Sequence, residues 1–237
     1  IVFNHMGTTG NVDADGFPEL DPDVKNYEPE IYNNIDTMFH RVKSPGGIQS
    51  TTHSYSGLPD LNTSNEHIQK RALDLLKECI DVGVDGFRFD AAKHIETPSD
   101  GNAASSFWDN TWEVAKTYYT EKTGGTLYAY GEILNSCENG RPLSIYTDKY
   151  FGVTDNEYSD FVILKAEDKK VQDIVNQKYI KETDPSKLVL WAESHDTYSN
   201  GSKESTYVID SNINKTWDLV ASKSNASALY FALPQVY

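Results

Sequence analysis

The sequence predicts an α/β fold in which parallel strands alternate with helices. Three observations predict it. Short apolar runs recur at 86–89, 126–132, 188–192 and 228–232. Longer stretches between them carry apolar residues at helical spacing. The two kinds of segment alternate along the chain, at the sizes that suit βαβ units.

Each element has its own signal. Thr63-Ser64-Asn65-Glu66 has the form of a capping box, in which a hydroxyl and a carboxylate satisfy free backbone donors. Ile68, Ala72, Leu75, Leu76, Cys79 and Ile80 then mark a helix that Gly83 stops. A strand follows in GVDGFRFDAAKH, residues 83–94. A second helix is expected over Ala103–Lys122, with Phe107, Trp108, Trp112, Ala115 and Tyr119 inward and Gly124 at its end. Thr126–Glu132 reads as a strand and Ala166–Tyr179 as a helix through Val171, Ile174 and Val175. Leu188–Ala192 is a short strand, Ile213–Ser222 a helix, and Ala228–Ala232 a last strand. Residues 7–62 are rich in Gly, Asp, Asn, Pro, Ser and Thr with little periodicity, and so long an irregular region is expected to be functional.

Composition narrows the function. The 237 residues carry a net charge of -15, so a polyanion would meet a repulsive field; nucleic acid and anionic membranes are poor partners. The hydrophobic fraction of 38% and aromatic fraction of 12% supply a core, despite a mean hydropathy of -0.58. Two cysteines, Cys79 and Cys137, are too few for a disulfide framework and match no zinc or redox spacing. No run is long enough to span a membrane. The chain opens on Ile1-Val2-Phe3 and stops soon after a strand-like run, so a piece of a longer protein is expected.

Side chains on a strand alternate between faces. Phe87 and Phe89 therefore point one way, and Arg88 and Asp90 the other. In a (β/α)8 barrel the catalytic groups sit at the C-terminal ends of strands. Arg88 beside Asp90 would hold that carboxylate ionised and oriented, as a nucleophile requires. A buried salt bridge without chemistry has the same spacing. Two further strand ends add weight: Tyr130-Gly131-Glu132 closes with a Glu, and Glu193-Ser194-His195-Asp196 with a His-Asp pair. Asp90 and Glu132 suit the two carboxyl groups of a retaining glycoside hydrolase, set about 5–5.5 Å apart.

Asn4-His5, the string GFRFDAAKH at 86–94, Gly131-Glu132 and Ser194-His195-Asp196 resemble, in order and spacing, the four short regions that define the α-amylase family, glycoside hydrolase family 13. Leu58-Pro59-Asp60-Leu61-Asn62 resembles a fifth. The resemblance covers nearly the whole chain and is strongest to Bacillus-type bacterial members, through GFRFDAAKHIE and ESHDTY. It implies an incomplete (β/α)8 TIM barrel, truncated at both ends. Residues 1–6 would end barrel strand 3, 7–62 would form the inserted domain B, and 63–237 would run from helix 3 to about strand 8. The first strands, the last helix and a C-terminal β-domain would be missing. Such a piece has an open sheet edge and is expected to be poorly stable and inactive alone.

The resemblance also implies roles. Asp90 matches the nucleophile, Glu132 the general acid/base and Asp196 the third carboxylate, which binds sugar hydroxyls. His5, Arg88, Lys93, His94 and His195 match substrate-binding positions. Asn4, Thr51, Asp60 and the backbone carbonyl of His94 match ligands of a calcium ion, Ca2+, that would pin residues 7–62 to the barrel. Ser194 stands where chloride-activated members carry Asn, which implies no chloride dependence. The implied activity is retaining endo-hydrolysis of α-1,4-glucans by a secreted, monomeric α-amylase. The alternatives are α-1,6 cleavage or chain transfer by a relative, and a non-catalytic glucan-binding protein. Among the aromatics, Tyr55, Tyr198 and Tyr207 are candidates for sugar stacking, and Trp108, Trp112 and Trp217 are expected to be packing residues. His40, His53 and His67 receive no role, and the negative charges across 13–36 read as a solvated loop.

Overall fold

The computed structural model describes residues 1–41, 51–54, 57–134, 141–167, 170–176, 183–199, 204–223 and 225–231. They fall into two compact units. The first is Ile1–Glu132 with Ser136–Pro142, and the second is Ile133–Asn135 with Leu143–Tyr237.

The first unit opens with an antiparallel pair, β1 (Thr8–Val12) and β2 (Pro18–Leu20). Three short helices follow: α1 (Pro22–Tyr27), α2 (Pro29–Asn33) and α3 (Ile35–Met38). Proline starts α1 and α2, where its missing N–H costs nothing, and the Asp21 side chain caps α1. Phe17, Leu20, Val24, Ile31, Met38, Phe39 and Leu61 pack on Ile68 in a small core of their own. The described part of 7–62 is thus more regular than its sequence. Its elements are three to six residues long, too short to show a period. Its acidic residues are not all simply solvated: Asp13 pairs with Arg41 at 2.7 Å and Glu28 with Arg71 at 2.6 Å.

Helix α4 (Glu66–Asp81) buries Ile68, Ala72, Leu76 and Ile80, a strict four-residue spacing. Leu75 is 38% exposed and lies off that stripe. The cap differs from the expected box. Asn65 caps the helix, accepting from the His67 N–H, while the Thr63 hydroxyl turns inward and donates to Glu96. Strand β3 (Gly86–Phe89) runs parallel to β4 (Tyr128–Gly131), with Arg88 opposite Tyr130 and Phe89 opposite Gly131. Between them a π-helical turn (Asp109–Glu113) leads into α5 (Val114–Thr123), which Gly124 ends at φ 72°.

Phe87 and Phe89 are buried, and Phe89 packs edge-on against Trp108 at 5.0 Å and Trp112 at 5.3 Å. All five residues expected on the inner face of that helix are buried. The β3 backbone has a further neighbour. The Ile1 nitrogen donates to the Arg88 carbonyl and the Asp90 N–H donates to the Ile1 carbonyl, the bond pattern of a parallel pairing around Phe89.

The second unit holds α6 (Ser144–Thr147), β5 (Gly152–Thr154), α7 (Asn156–Glu167), β6 (Leu188–Leu190), α8 (His195–Ser199), α9 (Asp210–Ala221) and β7 (Ser227–Ala228). Strands β5, β6 and β7 pair in parallel, with Val153 opposite Leu188 and Leu190 opposite Ala228. Helix α7 corrects the expected Ala166–Tyr179 helix. Its buried stripe is Tyr158, Val162, Ile163 and Ala166, so the helical repeat starts ten residues earlier. Val171–Asn176 is a separate 3-10 segment, and 177–182 lie outside the described residues. In each unit the parallel pairs are joined through helices, as the alternation predicted. No described helix is long and apolar enough to cross a membrane.

Candidate active site

Strands β3 and β4 end side by side, and their polar face carries the first cluster. Arg88 sits on β3 with its guanidinium between two carboxylates. One terminal nitrogen donates to Asp90 Oδ1 at 2.7 Å, the other to Glu132 Oε1 at 2.5 Å. Asp90 follows β3 directly and Glu132 follows β4 directly, so a parallel pair in register delivers both carboxylates to one place. Glu132 is tied to the β3 end by its backbone as well. Its N–H donates to the Phe89 carbonyl at 2.8 Å and its carbonyl accepts from the Ala92 N–H at 3.1 Å. The second carboxylate oxygen accepts from the Ala91 N–H at 3.1 Å.

Burial grades this cluster. The Glu132 side chain is 10% exposed, against 26% for Asp90 and 27% for Arg88. Burial opposes the Arg88 charge, but Asp90 and Glu132 outweigh it and hold the guanidinium above its ordinary value. His5 is half-buried, with Nδ1 3.0 Å from Asn4 Oδ1. Burial lowers its pKa below 6.5, while the Asp90 charge pulls the other way.

A second cluster lies where three extended segments meet. Leu61 N–H donates to the Asn4 carbonyl and Met6 N–H to the Pro59 carbonyl; His40 N–H donates to the Asp60 carbonyl. These bonds lay the Leu58–Asn62 segment between residues 4–6 and 38–40. Asp60 is buried there beside His40, with Oδ2 2.7 Å from Nδ1. The other His40 ring nitrogen is 3.2 Å from Glu96 Oε1. Burial, and then the nearby Glu96 charge, push Asp60 up to about 10. Burial pushes Glu96 up to about 7 and His40 down to about 4.

Residues 48–140 match the model of the family described as α-amylase, catalytic domain. An α-amylase of Clostridium acetobutylicum is 32% identical over 234 residues, 99% of this chain and 29% of that protein. An α-amylase of Butyrivibrio fibrisolvens is 30% identical over 231 residues, 86% of this chain and 24% of that protein. The chain belongs to the α-amylase family. It spans less than a third of either curated relative. At the level of fold, a mutant of α-amylase I from Eisenia fetida, solved with maltohexaose, superimposes with a TM-score of 0.59 at 18% identity. That match covers 98% of this chain and 50% of the other.

With the α-amylase family in hand, the expected site residues sort by unit. Arg88, Asp90 and Glu132 are drawn together in the first. Asn4, Asp60 and His5 share neighbouring extended segments there, and Asn4 and Asp60 are both buried. Lys93 and His94 lie in the turn Ala92–His94 just after Asp90 and are buried, at 3% and 8% exposure. Thr51 is buried with its hydroxyl unpartnered among protein atoms. His195 and Asp196 belong to the second unit, in α8, with side chains 59% and 58% exposed. Asp196 is therefore not on the strand end itself: β6 stops at Leu190, and Ser194 and Thr197 close the first turn of α8 through mutual hydrogen bonds.

The residues expected to hold calcium suit a hard cation. Amide, carboxylate, hydroxyl and carbonyl oxygens are all of the right type. A cation would give the buried hydroxyl of Thr51 a partner and would offset the desolvation of the Asp60 carboxyl.

Three residues went unrecognised in the sequence. His40 is no idle loop histidine, since it bridges Asp60 and Glu96. Glu96 closes the string GFRFDAAKHIE, which was a signal. Arg141 pairs with Asp100 at 2.9 Å, almost fully buried, and donates to the Ile95 carbonyl. His67 lies 3.2 Å from Glu30, and His53 3.2 Å from the Thr52 hydroxyl. Trp108 and Trp112 are core, and Trp217 packs on Tyr230 at 5.0 Å. Tyr198 packs on Phe231, and Tyr207 is exposed. Tyr55 and Cys137 lie outside the described residues.

Proposed function

We propose that the full-length protein is a secreted, monomeric α-amylase that cleaves internal α-1,4 bonds of starch-like glucans with retention of configuration. The observation that carries this reading is the Arg88 guanidinium bonded to both Asp90 and Glu132. One guanidinium bonded to two carboxylates keeps both at one place, as a two-carboxyl glycoside hydrolase needs, and retention follows in this reading from Asp90 acting as the nucleophile. A neighbour solved with maltohexaose supports a glucan as the substrate.

In this reading Asp90 attacks the anomeric carbon and Glu132 gives its proton to the departing sugar oxygen. Glu132 then takes a proton from the water that releases the sugar from Asp90. Asp196 and His195 bind sugar hydroxyls beside the bond being cut, with His5, Lys93 and His94 completing the contacts. Arg88 orients Asp90 through its hydrogen bond to Oδ1. The scaffold is a (β/α)8 barrel. Residues 1–6 end its third strand, 7–62 form the inserted domain, and 63–237 run to about the eighth strand. Asn4, Thr51, Asp60 and the His94 carbonyl hold Ca2+, whose charge would fix the inserted domain in place.

Asp90→Asn and Glu132→Gln test the roles. Each should abolish nearly all turnover of a long α-1,4-glucan while the circular dichroism spectrum shows the fold intact. Near-normal turnover in either variant would sink the assignment. Excess chelator should lower the Tm of the full-length protein, and an unchanged melting curve would remove calcium from the account. An enzyme inert on α-1,4 chains but active on α-1,6 branches, or one that lengthens chains, would move the reading to a relative of different specificity.

A further inference from the structure

We propose that Ala91 is a positioning residue for Glu132: its left-handed backbone turns the Ala91 N–H onto one oxygen of the proton donor while Arg88 holds the other. The inference rests on the reading of Glu132 as general acid/base. Ala91 has φ 42° and ψ 42°. Among the described residues the other positive φ values fall on glycines and on Asn225, both types that tolerate this region. An alanine there is strained, and such strain persists only where surrounding bonds over-determine it.

The surrounding bonds are on Glu132. The Ala91 N–H donates to Oε2 at 3.1 Å, Arg88 donates to Oε1 at 2.5 Å, and the Ala92 N–H donates to the Glu132 carbonyl at 3.1 Å. The turn therefore spends backbone strain directly after the nucleophile to place two successive N–H groups on the acid. A carboxyl gripped through both oxygens has its plane fixed relative to Asp90. Rotation about its last side-chain bond would break one grip. That constraint matters for proton delivery, which depends on direction, more than for nucleophilic attack by Asp90.

The test separates these two steps by leaving group. Incorporating L-lactic acid at position 91 of the full-length protein converts the amide to an ester, deleting the N–H and keeping the methyl. With maltoheptaose, whose leaving sugar needs a proton, kcat/KM should fall roughly 10- to 100-fold, the loss of one hydrogen bond to the carboxylate charge that develops as Glu132 gives up its proton. With maltotriosyl fluoride, whose fluoride leaves without one, it should stay within about twofold. Ala91→Gly accepts the left-handed turn without strain, so the Tm should rise; a fall in Tm would show that the turn is not strained at Ala91 and would remove the premise.

Equal losses on both substrates in the ester variant would make the turn a mere structural feature and overturn the proposal. No loss on either would do the same. Glu132→Gln, run in parallel, must itself lose far more on maltoheptaose than on the fluoride. If it does not, Glu132 is not the acid, and the role of Ala91 falls with it.

Discussion

Arg88→Ala probes the link on which the site is built. The Arg88 side chain is 27% exposed and bonds Asp90, 26% exposed, and Glu132, 10% exposed. Removing one partner of a fully buried ion pair costs about 3–5 kcal/mol, whereas an exposed pair contributes at most about 1 kcal/mol. The Glu132 contact lies near the buried limit and the Asp90 contact is partly screened by water. Together they place the loss at about 2–4 kcal/mol. For a domain of this size each kcal/mol moves the Tm by about 2–4 °C, so a drop of about 5–15 °C is expected by calorimetry. Arg88→Lys should recover less than half of it, because a point charge on a flexible stem cannot fork to two carboxylates at once. Turnover should fall in both variants, further than stability alone explains, since Asp90 loses its orienting partner. A Tm shift below about 1 °C in Arg88→Ala would refute the reasoning, because it would mean the two carboxylates do not depend on the guanidinium.

Other perturbations reach different parts of the molecule. Burial raises Glu96 from 4.5 to about 7, so the folded state keeps a proton that the unfolded chain releases between those values. In excess chelator the parent should lose stability as pH rises through that window. Glu96→Gln should gain up to about 3 kcal/mol on it by pH 8 and little at pH 4; a Tm difference that does not change with pH would contradict this. Gly152→Ala would put a Cβ 2.9 Å from the carbonyl oxygen of Lys187, the residue just before the facing strand β6. It should cost about 1–3 kcal/mol in urea unfolding, and no loss would contradict the β5–β6 register. Trp112→Ala removes a ring that is 1% exposed and packed on Phe87 and Phe89. It should cost about 3–5 kcal/mol of stability yet spare kcat in the fraction that remains folded; an unchanged Tm would contradict its place in the core.

The sequence showed most where two periods met. Phe87 and Phe89 had to face away from Arg88 and Asp90, and they do, because a strand has no other way to hold them. The aromatic helix before Gly124 was legible for the same reason. The α7 helix was misplaced because Val171, Ile174 and Val175 mimic a helical stripe, while the real stripe begins at Tyr158 behind the polar start Asp155-Asn156. Strand β5 was missed because three residues carry no period. Within the site, the strand-end pattern placed Asp90 and Glu132 at neighbouring strand ends, whereas Asp196, read the same way, lies beyond β6 in α8. The pairing of Asp90 and Glu132 through one guanidinium was not legible, since nothing in a linear string says that Arg88 reaches across to Glu132. Ala91 was invisible as well: an alanine gives no sign of a left-handed backbone.

The central claim is retaining cleavage inside α-1,4-glucan chains with Asp90 as nucleophile. Its most direct test follows a long linear α-1,4-glucan by chain length and by proton NMR of the newly formed anomeric centre, with the full-length protein and with Asp90→Asn. The account predicts an early collapse of chain length, products born in the α configuration, and neither event with Asp90→Asn. Products born in the β configuration, or unchanged chain length with the parent protein, would contradict it.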